Sequence, residues 1–436
     1  MKVRQRGSRG AVAALLLWSV ALAADAAGCR HLGAADRVER RPDGVVVASG
    51  PTRLQVSAYA PGVFRVRLAP DGRFDADASW AVVQASAPPP VAIVDGRDAV
   101  RVEAGGTVAV VHKSPLRVEF TDKDGRTLLN DEAAMPMAWM PTAHGTRVRV
   151  WKSMPADEHY YGLGDKAGPL DRRGRAFTMW NTDAYNWQGH TDPLYKSIPF
   201  FIGLRAGTAY GVFFDNTHRA SFDFGKESDD WLSFGADGGA LDYYFIAGPQ
   251  PAQVIERYTA LTGRTPLPPL WSLGFQQSRY SYHPESNVRE IAKQLRAHRI
   301  PSDAIYLDID YQQGYAPFTI DRAQFPQFER MIADLRRDGL RTVLITDLHI
   351  KHDPGKGYAA FDSGMQADAF IRNPDGSLYV GEVWPGDAVF PDFTLTRVRD
   401  WWGGLYRDFT ALGAAGYWYD MNEPSVFKEP GNTMSI

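Results

Sequence analysis

The sequence predicts a multidomain protein of the β plus α/β class, an N-terminal β-sandwich followed by a truncated (β/α)8 TIM barrel. Short runs that alternate apolar and polar residues fill positions 40–250, and strands then alternate with amphipathic helices. A proline-rich segment separates the two patterns. We therefore expect a signal peptide at 1–28, the sandwich at 29–262, a linker at 263–269 and the barrel segment at 270–436.

The N-terminus has the composition of an export signal. Four basic residues precede an apolar run at 11–23, and small residues follow at 24–28. The alternative is a buried or anchoring helix. The segment predicts an exported protein, either periplasmic or a lipoprotein of the outer membrane or cell surface of a bacterium. The single cysteine, Cys29, follows directly, where it is either a lipid-anchor site or an incidental residue of the leader.

Charge and composition narrow the classes of partner. The formal net charge of −3 argues against nucleic acid as the main partner, since binding to phosphates requires a basic surface. The 12 Trp, 19 Tyr and 22 Phe suit the flat faces of sugars, although aromatic rings also fill cores. The sequence assigns no oligomeric state.

The predicted sandwich contains runs with a period of two residues. Such runs lie at 54–58, 63–68, 116–120, 147–151, 209–214 and 241–246. A helix follows from Pro251, with Val254, Ile255, Tyr258 and Leu261 on one face. Three prolines within 266–269 cannot continue a helix, so the linker is placed there.

The barrel segment alternates strands and helices. Strands are predicted at 271–275, 304–307, 341–345 and 416–419, and helices lie between them. Residues 351–395 have no clear periodicity and are interpreted as a long insertion in the third βα loop, a length that is usually functional. The segment is shorter than the about 250 residues of a complete barrel, which is why we expect a truncated one.

Three of the predicted strands end in an acid. Asp308, Asp347 and Asp420 each follow a strand directly, and active sites of TIM barrels gather at the C-terminal ends of the strands. Each acid alone could be a helix cap or a turn residue. Three at equivalent positions favour a catalytic edge.

The strongest motif lies at 418–427 and reads Trp-Tyr-Asp-Met-Asn-Glu-Pro-Ser-Val-Phe. At this motif the sequence resembles glycoside hydrolase family 31, the α-glucosidase family. Further matching stretches lie, in the right order, at 161–174, 181–185, 192–201 and 383–386. The resemblance implies a retaining, exo-acting hydrolysis of terminal non-reducing α-linked glucose in oligosaccharides, with no metal and no cofactor.

The resemblance identifies Asp420 as the nucleophile. Glycosidic cleavage develops positive charge at the anomeric carbon, and an ionised carboxylate on a rigid strand end can stabilise and capture it. Glu423 is the second choice and is expected to orient the loop instead. The family's acid/base Asp comes from a later strand, so we expect it to be absent from this chain, which would then have little or no hydrolase activity.

The resemblance also implies a set of substrate contacts. Asp308 would accept hydrogen bonds from sugar hydroxyls, and Tyr280, Trp384 and Trp418 would offer ring faces. Ile309 and Ile350 would form apolar walls, Met421 lies beside the nucleophile, and Asp183 would reach the barrel mouth on a loop. Tyr280 could instead be a core ring, and Asp183 a turn residue.

One position departs from the family pattern. Relatives often read Asp-Pro after the third strand, where this sequence reads Asp347-Leu-His349. His349 is expected to affect at most the pocket rim, and a solvated loop explains the group His349, His352 and Asp353 better than a metal site does. Three alternatives stay open: an α-xylosidase, an α-glucan lyase, or a non-catalytic exported fragment that binds sugar.

Overall fold

The computed structural model describes residues 28–83, 88–143 and 145–434, and the predicted signal peptide at 1–27 lies outside them. The chain divides into two compact units. The first contains residues up to Trp180 and Asn186–Thr265, and the second contains Asn181–Tyr185 and Pro266–Ile436. Among the described residues, no helix has the length and apolarity needed to cross a membrane.

The first unit is built of antiparallel strands and one helix. The strands are β1 (Arg30–His31), β2 (Arg37–Arg41), β3 (Gly44–Ser49), β4 (Thr52–Ala60), β5 (Val63–Ala69), β6 (Ala92–Asp95), β7 (Ala99–Ala104), β8 (Thr107–Lys113), β9 (Leu116–Asp122), β10 (Thr127–Asn130), β11 (Met137–Thr142), β12 (Gly145–Ser153), β13 (His159–Gly164), β14 (Ala176–Met179), β15 (Ser197–Arg205), β16 (Thr208–Phe214), β17 (Ala220–Asp223), β18 (Trp231–Ala236) and β19 (Leu241–Ala247). The helix is α1 (Pro251–Thr262).

Three sheets surround one hydrophobic core. Their strand orders are β13-β15-β16-β19-β5-β4-β3-β2, β1-β11-β12-β18-β17-β14 and β10-β9-β8-β7-β6. Inward-facing residues of all three meet in the core, where the ring of Phe120 on β9 stacks on that of Phe245 on β19 at 4.1 Å. The predicted β-sandwich is confirmed, and each of the six predicted runs lies within an observed strand.

Helix α1 packs its apolar face on this unit. Val254 and Leu261 are buried, and the ring of Tyr258 stacks on that of Phe200 at 3.8 Å. Pro251 occupies the first turn, where its missing N–H costs no hydrogen bond. Ile255 lies on the exposed side of the helix, so the buried face contains fewer residues than the four that were predicted.

The second unit carries a parallel sheet with helices between its strands. Its elements are β20 (Gln276–Gln277), α2 (Glu285–Ala297), β21 (Ala304–Leu307), α3 (Phe328–Arg337), β22 (Arg341–Asp347), β23 (Ile350–Lys351), α4 (Ala359–Gln366), β24 (Gly381–Val383), β25 (Gly386–Val389), α5 (Thr396–Leu405), α6 (Arg407–Ala411) and β26 (Gly416–Asp420). The sheet order is β20-β21-β22-β26, with all neighbours parallel. This alternation of parallel strands and helices is the pattern expected of a barrel domain.

Helix α3 covers this sheet as its periodicity predicts. Phe328, Met331, Ile332 and Leu335 are buried and share one cluster with apolar residues of β21 and β22. Gly339 ends the helix with a φ of 82°, a left-handed conformation that glycine adopts without a Cβ penalty.

The segment at 271–275 does not form the predicted strand. Leu270–Leu273 forms a 3-10 turn instead, and the first strand is reduced to Gln276–Gln277. The carbonyl of Pro269 accepts hydrogen bonds from the backbone N–H of Ser272 at 2.9 Å and from its hydroxyl at 2.7 Å. These local bonds stabilise the turn where the apolar pattern suggested a strand.

The insertion at 351–395 has secondary structure of its own. It contains α4, and β23, β25 and β24 form an antiparallel sheet in that order. A small core lies beneath them, made of Ile350, Ala360, Phe361, Phe370 and Val389. The strands have four residues or fewer, which is too short for a readable periodicity.

Candidate active site

The three strand-end acids lie at one edge of the parallel sheet. Asp347 and Asp420 are the last residues of β22 and β26, and the strand register pairs them directly. Asp308 follows Leu307, the last residue of β21, and Leu307 pairs with Leu344. Asp308 is therefore level with Ile345, two residues before the other two acids, at the carboxyl edge where barrel enzymes bind substrates.

Asp420 is held by the turn that follows its strand. Its Oδ1 accepts a hydrogen bond from the backbone N–H of Met421 at 2.9 Å, and Met421 has a φ of 63°. Burial raises the pKa of Asp420, as does the charge of Asp183, while the Met421 N–H opposes this. A half-buried carboxylate on a strand end is the rigid, directed group that capture of an anomeric carbon requires.

Asp347 is the most enclosed of the three. It is 1% exposed, and its Oδ1 has no hydrogen-bond partner among the described residues. Burial, with the charges of Asp420 and Asp308, raises the pKa of Asp347 to about 8. Burial and its neighbours thus favour the protonated form of this carboxyl group, which can donate a hydrogen bond.

Asp308 keeps more exposure and one firm contact. Its Oδ1 accepts a hydrogen bond from the backbone N–H of Ile309 at 2.7 Å, which caps the 3-10 turn Ile309–Tyr311. Burial raises the pKa of Asp308, and the charges of Asp420 and Asp310 act in the same direction. The capping bond fixes one oxygen of the carboxylate.

His349 is buried beside Asp347. The prediction that it lies in a solvated loop at the pocket rim was therefore wrong. It is 1% exposed, its Nε2 is 3.9 Å from Oδ2 of Asp347, and both ring nitrogens are without partners among the described residues. Burial lowers its pKa to about 3, so the ring is neutral. Its position two residues after a strand-end acid was the available signal, because so short a separation keeps the ring near that acid.

The loop after Asp420 brings further acids to the same place. Burial raises the pKa of Glu423 to about 7, together with the charges of Asp183 and Asp420. The hydroxyl of the fully buried Ser425 donates a hydrogen bond to Oδ2 of Asp183 at 2.9 Å. Asp183 belongs to the short segment Asn181–Tyr185 of the second unit, so the predicted loop lies at this site.

The predicted aromatic residues are accessible. Tyr280 and Trp384 are 59% and 43% exposed, with ring centroids 6.3 Å apart. Trp384 also packs edge-on against Phe427 at 5.1 Å. Trp418 is half-buried and contacts Tyr306. Tyr280 and Trp384 can offer ring faces to a ligand, whereas Trp418 is partly committed to the core.

The predicted apolar walls are not brought together. Ile309 is 2% exposed in the cluster around α3, and Ile350 is fully buried in the insertion's own core. Met421, directly after Asp420, packs partly against Leu348 and Val426. The two isoleucines therefore support the elements that carry the site, and Met421 lies where it was expected.

The donor set does not suit a metal ion. Among the described residues, no group of three or more His, Cys, Asp or Glu side chains is arranged to hold one. At the sheet edge, Nε2 of His349 is 3.9 Å from Oδ2 of Asp347, and burial favours the protonated form of Asp347, which is a poor ligand for a cation. The acids instead supply an ionisable carboxylate, a protonated carboxyl group and a hydrogen-bond acceptor at one edge.

Comparison with known proteins agrees with this arrangement. Residues 53–223 match the glycosyl hydrolase 31 N-terminal galactose mutarotase-like domain, and residues 265–436 match the glycosyl hydrolases family 31 TIM-barrel domain. "Alpha-glucosidase 2" of Bacillus thermoamyloliquefaciens is 45% identical over 384 residues, which are 88% of this chain and 48% of the relative. An "Alpha-glucosidase" of Saccharolobus solfataricus is 38% identical over 65% of this chain and 40% of the relative.

Solved structures show the same similarity. The GH31 dextranase of Flavobacterium johnsoniae, complexed with glucose, superposes with a TM-score of 0.84 at 31% identity, over 92% of this chain and 49% of that one. A GH31 α-xylosidase from a soil metagenome, at 19% identity and a TM-score of 0.77, covers 90% of this chain and 58% of that one and shows the fold alone.

This chain spans about half the length, or less, of the curated relatives named above. Its two domain models, its identity to these relatives and its strand-end acids all agree. The chain belongs to glycoside hydrolase family 31.

Proposed function

We propose that this chain carries the nucleophile and part of the sugar-binding pocket of a retaining, exo-acting α-glucosidase. The substrates are α-glucosidic oligosaccharides, from which terminal non-reducing glucose is released. The observation that carries the proposal is Asp420, which ends strand β26 within the motif at 418–427 and pairs in register with Asp347. The names of the curated relatives support the same chemistry.

In the first step, an oxygen of Asp420 attacks the anomeric carbon while the bond to the leaving sugar oxygen breaks. A β-glucosyl ester forms with inversion, and water then attacks this ester with a second inversion, so that the product keeps the α configuration. The Met421 N–H, donated to Oδ1, holds the carboxylate in one orientation. It also favours the ionised form, which the attack requires.

We assign none of the carboxyl groups described above as the acid that protonates the leaving oxygen. A general acid must exchange its proton with water between turnovers, and Asp347 is almost fully enclosed. Asp347 is better suited to donate a hydrogen bond to a sugar hydroxyl, with Asp308 as the acceptor beside it. Tyr280 and Trp384 would cover the apolar face of the same sugar.

Related specificities have particular support. Similarity to a dextranase at 31% identity makes α-linked glucans a second candidate substrate class, and α-xylosidase and α-glucan lyase activities share the nucleophile. Product analysis of the protein produced from its gene, with maltose, isomaltotriose, dextran and isoprimeverose as substrates, distinguishes these activities. Glucose from maltose supports the α-glucosidase, whereas xylose or an unsaturated sugar product contradicts it.

The nucleophile can be labelled directly. In the protein produced from its gene, a fluorinated α-glucosyl donor should form a stable ester on the peptide that contains Asp420. Asp420→Asn should lower kcat by about 10⁴-fold or more, since removal of a catalytic nucleophile has costs of this order. Glu423→Gln is the matched control and should keep the label on Asp420; a label on another side chain would refute the assignment.

A polypeptide of residues 29–436 should bind sugar better than it hydrolyses it. Without an assigned acid, turnover of p-nitrophenyl α-glucoside should be about 10²–10⁴-fold slower than that of full-length relatives, the usual contribution of general acid catalysis. Calorimetry with maltose should detect binding that Asp308→Ala weakens. Turnover at the rate of full-length relatives would contradict this prediction, and loss of binding only in Asp308→Ala would favour a sugar-binding role.

The pH dependence of stability should report the proton on Asp347. Its folded-state pKa of about 8 lies above the unfolded value, so above about pH 4 the folded protein holds a proton that the unfolded chain releases. Stability therefore falls as the pH rises to about 8, by at most about 1.4 kcal/mol per pH unit. Asp347→Asn should remove this contribution and stabilise the protein more at pH 8 than at pH 6.5.

Urea unfolding at the two pH values measures this difference. Comparison with wild type cancels the contributions of His349 and Glu423, which are present in both proteins. Asp400→Asn, on an exposed position of α5, is the control and should change neither value. Equal stability changes for Asp347→Asn at both pH values would show that Asp347 is already ionised.

Export and lipid attachment at Cys29 complete the proposal. Cys29 immediately precedes β1, whose Arg30 and His31 pair with Trp139 and Ala138 of β11. A lipid there would attach the sheet to a membrane without a spacer. In a bacterial host, wild type should fractionate with membranes and carry the mass of a lipid adduct, while Cys29→Ala should be released; an unlipidated mature N-terminus would contradict the anchor.

A further inference from the structure

The core of the β-sandwich encloses a lysine and an aspartate in direct contact. Lys152 on β12 and Asp131, just after β10, face each other in an isolated antiparallel bridge, and both side chains are 0% exposed. Nζ of Lys152 is 2.5 Å from Oδ1 of Asp131. The proposed glycosidase chemistry leaves this pair without a role.

The surroundings of this pair resemble a reaction site more than a plain ion pair. The backbone N–H of Val118 donates a hydrogen bond to Oδ2 of Asp131 at 2.7 Å, and the hydroxyl of Tyr243 lies 2.7 Å from Nζ. The rings of Tyr243 and Phe120 lie with their centroids 4.6 Å and 6.0 Å from Nζ. An amine, a carboxyl carbon, an N–H donor to the carboxyl oxygen and a hydroxyl group that can relay a proton are therefore adjacent in a site shielded from water.

We propose that Lys152 and Asp131 condense to an intramolecular amide, a covalent cross-link between the segments that carry them. Contact distance supplies the proximity that this bimolecular reaction otherwise lacks. Exclusion of water removes the solvent that would hydrolyse the product and stabilise the ions.

The reaction balances without any co-reactant. The lone pair of the neutral Nζ attacks Cγ of the protonated Asp131, and the carbonyl electrons move to Oδ2, which the Val118 N–H stabilises. The nitrogen passes a proton to Oδ1, with the Tyr243 hydroxyl as relay. Collapse of the intermediate breaks the bond between Cγ and Oδ1, and one water molecule leaves.

Burial shifts both groups toward the protonation states that the first step needs. It lowers the pKa of Lys152 and raises the pKa of Asp131, while their mutual attraction opposes both changes. Both directions favour the neutral amine and the neutral acid. In the same core, Tyr243 keeps its proton, since burial raises its pKa well above the usual value.

Mass spectrometry of the full chain tests the proposal. The intact protein should be lighter than its processed sequence by one water molecule. Trypsin should fail to cleave after Lys152 and should yield one branched peptide that joins the segment from Thr127 to the segment containing Lys152. A linear peptide ending at Lys152, with a free amine in the denatured protein, would overturn the proposal.

Two variants separate this amide from other dehydrations. Lys152→Met removes the nucleophile and keeps an unbranched side chain, so its mass should show no loss of water. Tyr243→Phe keeps the ring but removes the relay, so the cross-linked fraction should be lower at equal times after synthesis. Loss of water in Lys152→Met would locate the dehydration elsewhere and contradict the cross-link.

Discussion

The register of two parallel strands determines the electrostatics of the whole site. Because β22 and β26 pair Asp347 with Asp420, two carboxyl groups lie on neighbouring strands at one level, and Asp308 follows directly after the adjacent strand β21. Like charges this close cannot all ionise at low cost, so one group keeps its proton. Asp347, the most buried, is the group whose pKa rises furthest into the neutral range.

This division gives each acid a separate task in the proposed reaction. Asp420 has the N–H of Met421 to favour its anion, and Asp308 has the N–H of Ile309. Oδ1 of Asp347 has no hydrogen-bond partner among the described residues, and the neutral His349 lies beside this acid. Differences in backbone hydrogen bonding and in burial thus suit Asp420 to the proposed role of nucleophile and Asp308 to that of hydrogen-bond acceptor. The same differences suit Asp347 to the proposed role of hydrogen-bond donor.

Much of the fold was predictable because its signals are local and periodic. Alternation found the strands of the sandwich, helical spacing found the face of α3, and the acids at strand ends marked the edge of the parallel sheet. The prediction of a strand at 271–275 was wrong because the Pro269 carbonyl accepts a hydrogen bond from Ser272 and stabilises a turn. The apolar content of the segment does not reveal this bond. The insertion was underestimated because its strands are too short to show a period.

The chemical roles of the site residues stay predictions, and the placement of several of these residues differs from what the sequence predicted. The motif at 418–427 predicts Asp420, but the burial of Ile350 depends on the insertion folding into a core of its own, a long-range event. The burial of Lys152 has a clearer signal in the sequence, since alternation along β12 places this residue on the same face as the buried Val148 and Val150.

The crowding of acids at the sheet edge also acts as a filter for the charge of the ligand. A saccharide that carried a carboxylate or phosphate into this edge would add a negative charge next to Asp308, Asp420 and Glu423, with partial burial weakening the screening by solvent. Neutral sugars meet no such repulsion, and a developing cation is attracted. In the proposed sugar site, this repulsion would disfavour uronic acids and sugar phosphates independently of any hydroxyl contact.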